Sequence, residues 1–247
     1  MRVNEPTYHD FLATFGIGGA HPGGLALTRD VVAKEGLTRA SQVLDAGCGT
    51  GQTAAYLVKT YGARVTALDQ HPLMLEKARR RFQREGLGVQ LLQGDVHRLP
   101  FPERSFDLVL VESVTIFTRI NTALGEYSRV LKPGGVLLDL EMTAERPLSA
   151  KELEELASVY NTRQVPTETE WAGRLQGAGF ASVSVVRGGT VASALPDDHT
   201  PPQELPEFDA PQSVDPRLYD IWSAHQALTE KFSRRLGYRV YRAVRAK

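Results

Sequence analysis

The 247 residues are 42% hydrophobic and 23% charged, enough to bury a core in one large domain. The 29 basic and 29 acidic side chains cancel, which argues against a protein that holds nucleic acid by bulk charge. The single cysteine, Cys48, excludes an intramolecular disulfide and the cysteine clusters of structural zinc, and no metal site is expected.

Residues 1 to about 41 precede the first strand and contain Ala20-His21-Pro22-Gly23-Gly24, a turn-prone stretch that leads into a helix from about Thr28. From Val43 to about Met142, apolar runs alternate with helical patterns, the signature of a parallel sheet wrapped by helices. Strand one ends at Asp45. A helix from about Gly51 to Tyr61 aligns Ala54, Leu57, Val58 and Tyr61 and stops at Gly62. Strand two spans Ala63 to Asp69, and the next helix opens on Pro72 and buries Met74, Ala78 and Phe82 at spacings of four. Its other faces carry Lys77, Arg79, Arg80, Arg81 and Arg84, which reads first as a solvated face and second as a binder of something acidic. Strand three is Val89 to Gly94, and strand four, Phe106 to Val111, is too uniformly apolar to face solvent. A helix around Ile120 to Leu131 is followed by the turn Lys132-Pro133-Gly134-Gly135 and strand five, Val136 to Leu140. Residues 143 to 178 read as two short helices with capping boxes, Ser149 with Glu152 and Thr167 with Glu170. Strand six is Ser182 to Arg187, and the proline-rich stretch Pro196 to Pro216 reads as a long loop. A helix from about Pro216 to Leu236 and an alternating last strand, Gly237 to Val244, complete the pattern. Arg234, Arg235, Arg239, Arg242 and Arg245 could hold an acidic partner, but alternation along the last strand reads first as a solvated edge.

The most informative stretch is Val43 to Thr53. A buried strand runs into a loop with glycine at every second position, Gly47, Gly49 and Gly51, and then into a helix whose free N–H groups point at that loop. A dinucleotide fingerprint, G-x-G-x-x-G, needs its third glycine one position later, where Gln52 stands. The pattern here is D-x-G-x-G-x-G. Asp69 ends strand two eighteen residues after Gly51, where a carboxylate accepts both hydroxyls of a ribose. Gly94-Asp95-Val96 ends strand three.

Taken together, these three acids and the glycine loop resemble class I S-adenosylmethionine-dependent methyltransferases, over roughly Gln42 to Glu141. Leu99-Pro100-Phe101-Pro102 and Ser105-Phe106-Asp107 match the wording of the small-molecule members. The resemblance implies a Rossmann-like α/β fold: a seven-stranded, mostly parallel sheet of order 3-2-1-4-5-7-6, helices on both faces, and a small cap. Residues 1–41 would be a cap or lid segment, and 42–247 the methyltransferase domain with cap insertions at about 143–178 and 189–236. It also implies S-adenosylmethionine as cofactor and S-adenosylhomocysteine as product. The expected cofactor-binding residues are Asp45, Ala46, Gly47, Cys48, Gly49 and Gly51 under the methionine part and ribose, Asp69 and Gln70 at the ribose, Asp95 and Val96 at the adenine, and Glu112.

A small-molecule acceptor attacking the methyl in line is the expected chemistry, because a sulfonium methyl is already electrophilic and the protein has mainly to align the nucleophile. Val111-Glu112-Ser113-Val114-Thr115 lacks the motifs of nucleic-acid and protein-arginine methylating enzymes. Glu112 is a candidate to orient or deprotonate the acceptor, or a cofactor-side carboxylate. Tyr8, Phe11, Phe15 and His21 are candidates to line the acceptor pocket, and His21 fits a turn histidine equally. His9 is weighed with them. His71 and His97 read as local capping or surface residues, and nothing basic adjoins Cys48 to make its thiol reactive. Non-catalytic cofactor binding and a non-methyl use of the cofactor stay open. The N-terminus holds acidic residues and no segment approaches the roughly 18 apolar residues of a membrane span, so a cytoplasmic protein without membrane or nucleic-acid partners is expected.

Overall fold

The computed structural model describes residues 5–194 and 207–247. Seven strands form one sheet in the order β3-β2-β1-β4-β5-β7-β6. They are β1 (Gln42–Ala46), β2 (Arg64–Asp69), β3 (Gln90–Gln93), β4 (Phe106–Glu112), β5 (Leu131–Ala144), β6 (Phe180–Thr190) and β7 (Leu236–Arg245). The first five run parallel, and β7 lies antiparallel between β5 and β6. This is the expected order and a Rossmann-like architecture. Val109 and Val111 of β4 point into one core, and Leu108 and Leu110 into the other, which is why this strand has no polar side.

Helices α2 (Gly24–Val32), α3 (Gln52–Tyr61) and α4 (Pro72–Glu85) cover one face, where Val32, Leu57 and Phe82 pack. The other face is covered by α1 (Tyr8–Phe15), α5 (Ile120–Val130), α6 (Ala150–Tyr160), α7 (Glu168–Gly177) and α9 (Arg217–Phe232), with a short turn of helix, α8, at Val191–Ala194. Trp171 of α7 is fully buried, and its indole N–H donates to the Met142 carbonyl at 3.0 Å.

Four expectations change. Tyr8 to Phe15, within the segment expected only as a cap, forms a helix with Tyr8, Phe11, Leu12 and Phe15 at helical spacing. Thr7 and Asp10 make a reciprocal capping box at its start, and Gly16 closes it at φ +62°. The helix expected from Thr28 begins at Gly24, because Gly23 at φ +79° opens it without any side-chain cap. β5 starts at Leu131 rather than Val136 and continues past Leu140 to Ala144. Lys132 to Gly135 is taken up as a bulge, the partner of Phe106 being Leu131 and that of Leu108 being Val136. The last strand is internal, as the expected order requires, and its arginines, read as a solvated edge, are paired. Arg239 bonds Glu145 and Glu168, Arg242 bonds Glu35, and Arg245 donates to the carbonyls of Arg129 and Leu131. Of the long loop expected at Pro196 to Pro216, the part up to 206 lies outside the described residues. Residues 207–209 run as a strap: Gly18 and Glu207 exchange backbone hydrogen bonds, and the Asp209 N–H donates to the Phe15 carbonyl at 2.8 Å.

That strap also revises the charged face of α4. Arg81 pairs with both carboxylate oxygens of Glu207 and donates from Nε to the Thr50 carbonyl at 2.9 Å. Lys77 Nζ lies 2.9 Å from Asp209 Oδ2. Two of the five basic side chains therefore hold the strap instead of facing water.

Candidate active site

A cavity opens at the carboxyl ends of β1, β2, β3 and β4, where the strand order reverses around β1 and β4. Its floor is the glycine loop. The N–H groups of Gly47 and Cys48 both donate to the Leu68 carbonyl, at 2.7 and 2.9 Å, which bends the loop over the end of β2. Gly47 sits at φ +84°, and a Cβ there would stand 2.3 Å from Val114, so only glycine lets the β1 and β4 loops meet. Gly49 and Cys48 line the cavity, whereas Ala46 and Gly51 do not. Ala46 is fully buried in the sheet core, and a Cβ on Gly51 would meet the Phe82 ring at 2.6 Å, so Gly51 serves the packing of α3 on α4.

Three acids converge from separate strands. Asp69 accepts the Gly49 N–H at 2.9 Å on one oxygen and the His71 N–H at 2.8 Å on the other, leaving lone pairs on each. Asp95 Oδ1 accepts from the His97 backbone N–H at 2.9 Å and from the His97 ring at 2.7 Å. Burial pushes the Asp95 carboxyl up, but these two donors outweigh it and hold it below its ordinary value. Asp45 is 2% exposed, and its Oδ2 has no partner among the described residues. Burial, then the Glu112 and Asp69 charges, push the Asp45 carboxyl well above the carboxylate range.

Glu112 ends β4 with both oxygens engaged. Thr28 Oγ1 donates to Oε1, and Thr53 Oγ1 donates to Oε2 at 2.7 Å. His21 Nε2 stands 3.4 Å from Oε1 without hydrogen-bond alignment, while its Nδ1 lies 3.3 Å from the Pro22 carbonyl. One carboxylate thus ties α2 and α3 together, with the His21 ring alongside. Cys48 is buried, and burial followed by Asp45 and Asp69 pushes its thiol up, so it is not a thiolate.

Of the N-terminal aromatic residues expected at the pocket, Tyr8, Phe11 and Phe15 turn away from it. They pack with Tyr160 and Trp222, with ring centroids 5.0 Å apart for Tyr8–Tyr160 and 5.3 Å for Phe15–Trp222. The intervening residues His9 and Leu12 line the cavity, as do Ile17 and Phe117. Helical spacing of 8, 11 and 15 on one face would have revealed this division once the helix was assigned.

Two polar features escaped the sequence. His97 is more than a surface residue: its Nε2 accepts the Arg119 N–H at 2.9 Å, so Nδ1 carries the proton and donates to Asp95. The second is Glu141 on β5, fully buried beneath a single 3₁₀ turn at Thr115–Phe117. It accepts the N–H groups of Val114, Thr115 and Ile116 at 2.9, 2.7 and 3.1 Å and so fixes the wall that carries Val114 and Phe117. Burial raises the Glu141 carboxyl to about 7 against the pull of those three donors, and Asp139 beside it is raised by burial and by Glu141.

Residues 43–135 match the family model of a methyltransferase domain. An uncharacterized methyltransferase of Bacillus subtilis, YodH, is 38% identical over 234 residues, covering 95% of this chain and 97% of its own. A fatty-acid O-methyltransferase of Mycolicibacterium smegmatis is 43% identical over 99 residues, covering 39% of this chain and 35% of the relative. The fold is shared with a phosphoethanolamine N-methyltransferase 2 of Haemonchus contortus, at a TM-score of 0.76 and 18% identity over 99% of this chain and 59% of that one. With three strand-end acids around a glycine loop and a full-length methyltransferase relative, this chain belongs to the S-adenosylmethionine-dependent methyltransferase family, and S-adenosylmethionine is its methyl donor.

Proposed function

We propose that the cavity holds S-adenosylmethionine with its ammonium at Asp45, its ribose on Asp69 and its adenine between Asp95 and Val96, and that the methyl passes to a small organic acceptor. The observation that carries this reading is the buried, partnerless oxygen of Asp45, with Asp69 and Asp95 beside it in one cavity. A buried carboxylate without a partner is costly, and a cationic ammonium removes that cost. Gly47, Cys48 and Gly49 bring backbone against the ligand, and Gln70 lies next to the ribose acid. Ala46 and Gly51 shape the loop from behind.

The bound cofactor supplies an electrophilic sulfonium methyl. The chain has to align a nucleophile behind that methyl and keep water out. Val114, Phe117, Leu12 and Ile17 supply apolar wall for this. Glu112 has both oxygens occupied by threonines, which supports a positioning residue that fixes α2 against the α3 start rather than a free base. Glu112→Gln should then keep turnover within about tenfold, and a loss beyond about 100-fold at unchanged cofactor affinity would instead make Glu112 the base. No helix among the described residues is long and apolar enough to cross a membrane. A cytoplasmic site of action fits the lone, buried free thiol Cys48.

Calorimetry with S-adenosylhomocysteine and with NAD tests the site: binding of the first and not the second is expected, and the reverse would overturn the assignment. Transfer of labelled methyl to an extract of small metabolites then separates an enzyme from a protein that only binds the cofactor. Absence of label on any acceptor would favour the latter.

A further inference from the structure

With the cofactor seated as proposed above, the walls left for an acceptor have a definite chemistry. No Lys or Arg lines the cavity among the described residues; of the residues outside that description, 195–206 contain neither and 1–4 contain Arg2. On the adjoining α4, Lys77 and Arg81 are bound to the strap, and Arg119, beside Asp95, is exposed and outside the lining. The titratable lining is instead Asp45, Asp69, Asp95 and Glu112 with three imidazoles. An anionic acceptor would enter unpaired against like charge, which is heavily penalised in a buried site.

A cationic acceptor fares little better. Asp69 is engaged by two backbone N–H groups, Asp95 by His97, and Glu112 by two threonines, while Asp45 is left for the cofactor's own ammonium. The remaining wall is uncharged: Leu12, Ile17, Val114 and Phe117 are apolar, and Thr50, Gln52, Ser113 and Thr118 are neutral.

Among the described residues, Thr50 Oγ1 and Gln52 Oε1 have no partner but are covered beside Gly18 and Gly19, and of the three imidazoles one is free at both nitrogens. His97 uses both ring nitrogens, and His21 has Nδ1 near the Pro22 carbonyl and Nε2 facing Glu112. His9 lines the cavity edge-on to the Phe117 ring, with centroids 4.8 Å apart, and neither of its nitrogens has a hydrogen-bond partner among the described residues. Burial holds its ring below the ordinary histidine value, against the raising pull of Asp69 and Asp10 and together with the lowering effect of His71. A neutral imidazole offers one donor and one acceptor.

We propose that the methyl acceptor is an uncharged, largely apolar molecule whose hydroxyl or comparable neutral polar group is held by His9. His9 is a substrate-orienting residue in this reading, and the surrounding uncharged wall selects against charge.

The test uses the full chain saturated with S-adenosylhomocysteine and matched ring probes: 2-naphthol, 2-naphthoate, 2-naphthylmethylammonium and naphthalene. Dissociation constants measured at neutral pH should place 2-naphthol at least about tenfold tighter than either charged probe. His9→Phe should weaken 2-naphthol to the level of naphthalene while cofactor affinity stays within about threefold, and His9→Gln should retain the preference. Charged probes that match 2-naphthol, or no probe binding at millimolar concentration, would overturn the acceptor class. A His9→Phe protein that binds 2-naphthol unchanged, or that loses S-adenosylhomocysteine, would overturn the role of His9. If the wild-type chain fails to bind S-adenosylhomocysteine at all, the cofactor assignment falls instead.

Discussion

The two halves of the cavity are built by different means. The half proposed for the cofactor is made by the ends of three adjacent strands: the run Asp45 to Gly49, whose backbone folds over the Leu68 carbonyl and is locked by Asp69, and Asp95 beyond them. The half proposed for the acceptor is made by segments far apart in sequence. α1 and the His21 turn form one side, the 3₁₀ turn at Thr115–Phe117 another, and the strap at 207–209 and α9 hold them from behind. Backbone hydrogen bonds in a tight loop constrain residue type at fixed spacings. Side-chain packing between remote segments constrains volume and polarity only, so this half varies without breaking the fold.

If the halves are this separate, damage to one should leave the other working. The largest effect is expected at Phe11, which is 1% exposed in the aromatic seam between α1 and Trp222 of α9. Phe11→Ala should cost about 3–5 kcal/mol of stability in a denaturant titration, yet the folded fraction should bind S-adenosylhomocysteine within about threefold of wild type. Collapse of that affinity would mean that α1 belongs to the cofactor half as well. Asp69→Ala is the converse. It removes the acceptor of the Gly49 and His71 N–H groups along with the proposed ribose contact, so calorimetry should show affinity about 100-fold weaker, or roughly 3 kcal/mol.

The link between the halves is Glu141, which holds the 3₁₀ turn against the β4 loop. Its carboxyl is raised to about 7, so the stability it contributes is full below its ordinary value and declines as the pH rises through about 7. Thermal melts from about pH 5 to about pH 8 should show wild type losing up to about 3 kcal/mol relative to Glu141→Gln, which cannot titrate. Parallel melting of the two proteins would show that the turn does not depend on this proton. The smallest effect is expected at the strap. Lys77 is 9% exposed but its partner Asp209 is 72% exposed, so Lys77→Ala should cost less than about 1 kcal/mol and leave cofactor affinity unchanged. A larger loss would make the strap part of the cofactor half.

This division also accounts for what the sequence discloses. The sheet order and the converging acids are readable because strands of β-branched and aliphatic residues end in acids and glycines at family spacing. The α1 helix is harder to read, because its capping box uses Asp10 where glutamate or glutamine is the usual signal, and because its apolar repeat lasts only 8 residues. The far end of β5 is hidden for a related reason. Glu141 and Thr143 interrupt the apolar run, and they are tolerated at full burial only because Glu141 meets three backbone donors and Thr143 meets the Tyr241 hydroxyl at 3.1 Å. The basic run on α4 was read from one helix alone, without the strap that pairs with Lys77 and Arg81.

The position of α9 and β7 has a consequence for how the protein is made. Synthesis releases α1 first, but the surface that receives Phe11 and Phe15 includes Trp222, near the other end of the chain. β7, the last strand to emerge, must slot between β5 and β6, which cannot pair with each other in the finished sheet. Until then the nascent chain carries an amphipathic helix with bare aromatic residues and two unpaired strand edges. Closing those long-range contacts is slow in entropic terms, so the side of the molecule built on α1, α9 and β7 should be the last to mature.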